Sequence, residues 1–123
     1  MLSLLLTTTL VGCIATDGDS LRCGRERVRL LGIDAPELAP CPPRRRCAPG
    51  DPFASRDNLR KLVQDQTVEV VRIGADRYGR TLAMVHSAKR NLSCEQLRQG
   101  FAVYRRDWDN GKRVFGACPA LAR

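Results

Sequence analysis

Six cysteines in 123 residues constrain this chain more than any other feature. None belongs to a C-x-x-C pair and His86 is the sole histidine, so zinc-ribbon, zinc-finger and thioredoxin-type arrangements lack ligands at suitable spacing. An even cysteine count in a short chain reads instead as a disulfide framework formed in an oxidising compartment. Cys13 and Cys23 lie at equal distances from Gly18, so a hairpin centred there sets them opposite each other across the ladder, where a disulfide fits. The same Cys13 also ends Leu10-Val11-Gly12-Cys13, which looks like a lipoprotein cleavage site. We favour the bridge over that alternative. Cys41 and Cys47 are close enough to clip a small loop, and Cys94 with Cys118 would tie the tail to a helix. The lone histidine also excludes paired-histidine ribonuclease chemistry.

The length allows one domain and one core. Residues 1–12 (MLSLLLTTTLVG) are apolar and uncharged, too short to span a bilayer and lacking the positive leader of a secretory signal. They read as a possible signal remnant preceding a domain over residues 13–123. Asp17-Gly18-Asp19 is a turn between two strands. Residues 25–33 alternate as a strand, with Val28 and Leu30 on one face and Arg29 on the other. Pro36 ends it, and a Pro/Arg-rich loop follows to Gly50.

Asp51-Pro52 opens a helix to about Val63, with Ser55, Leu59, Leu62 and Val63 on one side. Strands follow over residues 67–73 and 81–86, joined by the turn Asp76–Gly79. Ser93 and Gln96 form a capping-box pattern for a short helix ending at Gly100. The order β-β-β-α-β-β-α, with short turns between strands, fits an α+β, mainly β architecture: a five-stranded OB-type barrel with two or three helices.

The formal charge of +8 raises the local concentration of polyanions, though a solvated basic surface accounts for it equally well. Phosphodiester cleavage needs an activated water, fixed positive charge at the transition state, and in-line positioning. Asp19 and Asp34 are hard oxygen donors at adjacent turn and strand ends and suit Ca²⁺, a Lewis acid toward a phosphate oxygen. Glu37 has a longer arm that can orient or deprotonate water. Arg29 and Arg80 offer planar forks for phosphate. Taken singly, each has a bland reading as a turn, a cap or a surface charge.

Together these residues fall into three signatures. Asp17-Gly18-Asp19-Ser20, then Arg29 to Glu37 (RLLGIDAPE), then Asp76 to Ala83 (DRYGRTLA) resemble the motifs of the micrococcal (thermo)nuclease family, in its order and at similar spacing. Residues 97–102 (LRQGFA) look like its later helix-to-strand passage. The resemblance spans about residues 14–104. It implies a thermonuclease-like OB fold, calcium held by Asp19, Asp34 and the Ala35 carbonyl, and catalysis by Glu37 with Arg29 and Arg80. It also places Arg77 and Tyr78 near a second phosphate and Tyr104 near a nucleotide. Departures are Ser20 in place of a frequent threonine, a shorter C-terminal part, the added cysteines, and the Cys41–Cys47 insertion beside Glu37. Arg44, Arg45 and Arg46 of that insertion either add phosphate contacts or restrict entry.

The expected function is therefore a calcium-dependent nuclease acting on DNA or RNA, with single strands favoured because a shallow site admits a splayed backbone. It is expected to be a secreted or periplasmic monomer without a stable membrane span. A non-catalytic nucleic-acid-binding module of the same fold is the alternative. A basic secreted protein acting on membranes is a third reading, but it leaves Arg29, Asp34, Glu37 and Arg80 without a role.

Overall fold

The computed structural model describes residues 6–123. Of the apolar segment 1–12, residues 1–5 lie outside the described residues; Thr7–Leu10 forms strand β1. Three consecutive threonines are β-branched and suit a strand. β1 pairs antiparallel along β6 (Val68–Ala75), with Thr7 opposite Val71, and Arg72 Nη1 donates to Thr8 Oγ1 at 2.8 Å.

The hairpin β2 (Ile14–Asp17) and β3 (Ser20–Cys23) leads into β4 (Glu26–Leu30). A turn at Leu31-Gly32 separates β4 from the two-residue β5 (Ile33–Asp34), so the single strand expected over residues 25–33 is broken in two. Gly32 takes φ +74° there, a value that favours glycine. Helix α1 (Pro52–Val63) begins as its sequence predicts: Asp51 accepts from the Phe53 and Ala54 N–H groups, and Pro52 fills the first position.

β7 (Thr81–Ser87) returns antiparallel beside β6 and is followed by the short β8 (Arg90–Asn91). Helix α2 (Leu92–Arg98) and the two-residue β9 (Val103–Tyr104) come next, and α3 (Arg113–Ala117) closes the chain. The cap of α2 differs from expectation. Asn91 accepts from Cys94 N, while Ser93 donates to the Leu31 carbonyl at 2.8 Å. Both side chains of the expected capping box are buried and serve tertiary contacts.

The main sheet runs β1-β6-β7-β4-β3-β2, with β8 on β7, and β5 pairs separately with β9. Register shifts at residues 15–17 and 72–74 insert extra residues and bend the strands. The result is a curled, OB-type α+β barrel. Its core strands β2, β3, β4, β6 and β7 are the five expected; β1 and β8 extend the sheet.

β7 is buried on both faces. Ala83 and Val85 join Leu21, Val28, Leu30, Leu59 and Val70 inside the barrel, while Met84 packs with Leu31, Val114 and the Cys94–Cys118 sulfurs outside it. Side-chain alternation along the strand divides the two groups. Among the described residues no helix is long and apolar enough to cross a membrane.

Three disulfides staple this frame: Cys13–Cys23, Cys41–Cys47 and Cys94–Cys118. The third spans 24 residues and fixes α3 against α2. Replacing both its cysteines by serine is expected to cost about 3–4 kcal/mol of unfolding free energy, measured by urea titration. A loss under about 1 kcal/mol would mean that packing alone holds the tail.

Candidate active site

The turn of the first hairpin is held from three sides. Gly18 lies so close to α1 that a Cβ would collide with Ser55 Oγ and sit 2.7 Å from Ala35 Cβ. Its carbonyl accepts from Gln96 Nε2 at 2.7 Å. Gln96 is fully buried; it also donates to the Ser55 carbonyl and accepts from Asn58 Nδ2. Gly18→Ala is therefore expected to cost about 1–3 kcal/mol by overpacking, read by chemical denaturation; an unchanged midpoint would mean that the turn is loose.

This anchoring aims Asp19 inward. Its carboxylate is buried and accepts from Ala35 N at 2.8 Å and Ser20 Oγ at 3.2 Å. That hydrogen bond brings Asp19 beside the Asp34-Ala35 step. Arg29 Nη1 lies 3.1 Å from Asp19 Oδ2. Burial still dominates: it pushes the Asp19 carboxyl up to about 7, with Asp17 adding to the rise and Arg29 opposing it.

Arg29 is itself buried, and Nη1 also donates to the Ile33 carbonyl at 3.0 Å. β4 and β7 pair in parallel with Val28 opposite Thr81, so Arg80, the residue before Thr81, falls beside Arg27, which shares a face of β4 with Arg29. Asp76 holds Arg80 in place. Its Oδ2 accepts from Arg80 Nε at 2.7 Å, and its Oδ1 accepts from the backbone N–H groups of Tyr78 and Arg80. Burial works against the ionised Asp76 carboxyl, but these N–H groups outweigh it and hold the group below its usual range.

Asp34 is almost fully buried and meets two arginines. Arg105 donates through Nε and Nη2 to Oδ2, at 3.2 and 3.0 Å. Arg45 Nη2 sits 3.5 Å from Asp34 Oδ1 and 2.9 Å from Glu37 Oε1, bridging the two carboxylates. Arg45 reaches them from the loop clipped by Cys41–Cys47, and Arg105 Nη2 pins that loop through the Arg46 carbonyl at 3.0 Å. Arg44 and Arg46 themselves are exposed.

Arg29, Arg45 and Arg80 line one cleft of about 420 Å³, together with Asp76, Tyr78 and Trp108. The Tyr78 ring is exposed and lies 5.0 Å from the Arg77 guanidinium and 5.7 Å from that of Arg80. Trp108 lies 5.4 Å from the Arg29 guanidinium and 5.8 Å from that of Arg105. Tyr104 is half-buried in β9, and its hydroxyl donates to Asp109 Oδ2 at 2.7 Å. Burial and this hydrogen bond push the phenol up to about 12. Asp109 also accepts from the N–H groups of Val114 and Phe115, anchoring α3.

Sequence reasoning missed Arg105, Trp108 and Asp76. The pairing of Ile33 with Tyr104 brings Arg105 to Asp34 and Trp108 to the cleft, which no local pattern announces. Asp76 had a readable signal, an aspartate opening a turn two residues before Tyr78.

The donors fit a hard divalent cation in part. Two buried carboxylates meet at one backbone step, and Asp19 carries more burial than its partners compensate. Among the described residues no cluster of three acidic, histidine or cysteine side chains forms, so backbone and water oxygens would have to complete a shell around Asp19 and Asp34.

Fold and cleft together define a basic OB-type domain whose cleft gathers Arg29, Arg45 and Arg80, with Arg45 reaching out to Asp34 and Glu37. Residues 27–117 match the family described as staphylococcal nuclease homologue, and the chain belongs to that family. It is also similar to a Haemophilus influenzae protein named an uncharacterized endonuclease, with 38% identity over 92 residues. The match covers 71% of this chain and 47% of that relative, so the chain spans about half the relative's length.

Proposed function

We propose that the chain is a calcium-dependent nuclease that hydrolyses phosphodiester bonds in DNA or RNA and favours accessible single strands. The observation that carries this reading is the seat of Arg45. Its guanidinium joins Asp34 to Glu37, and the same side chain lines the cleft with Arg29 and Arg80. Arg45 thus links the carboxylate base and a candidate metal carboxylate to the cleft of phosphate-gripping forks.

Asp19, Asp34 and the Ala35 carbonyl would hold calcium, which when bound supplies Lewis-acid polarisation of a phosphate oxygen. Glu37 orients the attacking water and accepts its proton. Arg29 and Arg80 grip phosphate oxygens on which charge develops. Arg77 and Tyr78, on the exposed rim, contact a neighbouring phosphate of the strand. Tyr104 lines the neighbouring cleft rather than this one and would lie near an adjoining nucleotide. Three disulfides support the reading of an oxidising setting, periplasmic or extracellular, in which the expected form is a monomer.

The test is incubation of a labelled single-stranded oligonucleotide with the oxidised protein in Ca²⁺ and in EGTA. Cleavage only in Ca²⁺ is expected. Binding without cleavage in either buffer would instead make the chain a non-catalytic module. Arg45 leads to a separate prediction. Because it sits on Asp34 and Glu37, Arg45→Ala is expected to raise calcium affinity up to about fivefold without nucleic acid, the worth of a partly exposed ion pair. Calorimetric titration measures this, and unchanged affinity would show that Arg45 and calcium do not compete.

A further inference from the structure

A larger cleft, of about 680 Å³, opens on the other side of Trp108 and shares Trp108 and Asp107 with the cleft of Arg29 and Arg80. The arrangement described above gives its Arg106, Lys112 and Phe115 no task. Its lining has the chemistry of a single-strand channel: cations interleaved with rings. Arg106, Lys112 and Arg123 are exposed along it, and Asp107 is the only acidic residue among those lining it. Phe115 presents a ring that is 46% exposed, a large apolar surface left to solvent.

We propose that this second cleft binds the nucleotides flanking the scissile bond, with a base stacked on Phe115 and backbone phosphates on Arg106 and Lys112. This rests on the nuclease reading and extends it: the preferred substrate is a strand long enough to pass Trp108, rather than a dinucleotide.

Three observations favour a nucleic-acid strand over a peptide or membrane. The charge is complementary to phosphates, the stacking ring is flanked by cations, and the cleft is continuous with the arginines expected to grip phosphate. The floor is also firm. Asp109 ties Tyr104 to the N–H groups of Val114 and Phe115, and Cys94–Cys118 fixes the following turn. A rigid platform loses little entropy on binding.

The chain has one tryptophan, Trp108, so its fluorescence reports occupancy of both clefts. Titrations in EDTA compare a thymidine 3′,5′-bisphosphate, a single nucleotide expected at the Arg29–Arg80 cleft and too short to pass Trp108, with oligothymidylates of increasing length. Wild-type affinity is expected to rise with length. Phe115→Ala should remove at least about fivefold of that gain, as expected for one stacked base. Lys112→Asn, chosen because residue 112 has φ +53° and asparagine tolerates that region, should lower the salt slope by about 0.7. The bisphosphate should bind both variants as it binds wild type.

Variants that keep the full length-dependent gain would overturn the proposal, as would equal losses for bisphosphate and oligomers. Failure of the nuclease reading is seen separately, as absence of cleavage by wild type in Ca²⁺ whatever the binding result.

Discussion

Glu37→Gln is expected to lower turnover on a single-stranded oligonucleotide by about 10²- to 10⁴-fold, the usual worth of a positioned general base. The substitution keeps the size and reach of the side chain and removes its ability to take a proton. It should leave the fold intact. Glu37 is only half-buried, and its ion pair is with Arg45, whose side chain is 41% exposed; such a pair contributes about 0–1 kcal/mol. Single-turnover cleavage in Ca²⁺, beside a melting curve for each protein, separates the two effects. Cleavage within a few-fold of wild type would remove Glu37 from the mechanism.

Arg80→Ala should cost about 10²- to 10³-fold in the same assay, the typical effect of removing a preorganised donor from a developing oxyanion. The side chain is held in advance: Asp76 accepts from the Nε of Arg80, leaving the terminal nitrogens of the guanidinium for a ligand. Arg80→Lys should recover only part of the loss, since a lysine ammonium is a point charge that cannot offer a fork. Full activity in Arg80→Lys would mean that charge alone is needed, and full activity in Arg80→Ala would place the phosphate elsewhere.

Much of this architecture was readable where the determinants are local. Asp51-Pro52 set the start of α1 because an acceptor followed by a residue without an N–H satisfies a helix end whatever the surroundings. The hairpin at Gly18 placed Cys13 opposite Cys23 by ladder geometry alone. Asp19, Asp34, Glu37, Arg29 and Arg80 could be proposed because their spacing was familiar, and four of the five lie in just two short stretches.

What escaped depends on contacts distant in the chain. Arg105 faces Asp34 across a separation of 71 positions, and its neighbours carry no pattern that says so. Trp108 follows the same crossing. Ser93 looked like a cap because its spacing to Gln96 was right. Burial redirected both side chains to the Leu31 and Gly18 carbonyls, which had fewer other ways to be satisfied. Residues 7–10 were hidden for a different reason: an uncharged apolar run does not distinguish an edge strand from a leader.

Because the loop holding Arg45, the hairpin carrying Asp19 and the platform beneath Phe115 are each closed by their own sulfur–sulfur link, the folded form is tied to its surroundings. Thiol reductants in a cytosol keep such links open. For the nuclease proposed above, the finished set of links would thus belong to an oxidising compartment, apart from the genome of the cell that makes it.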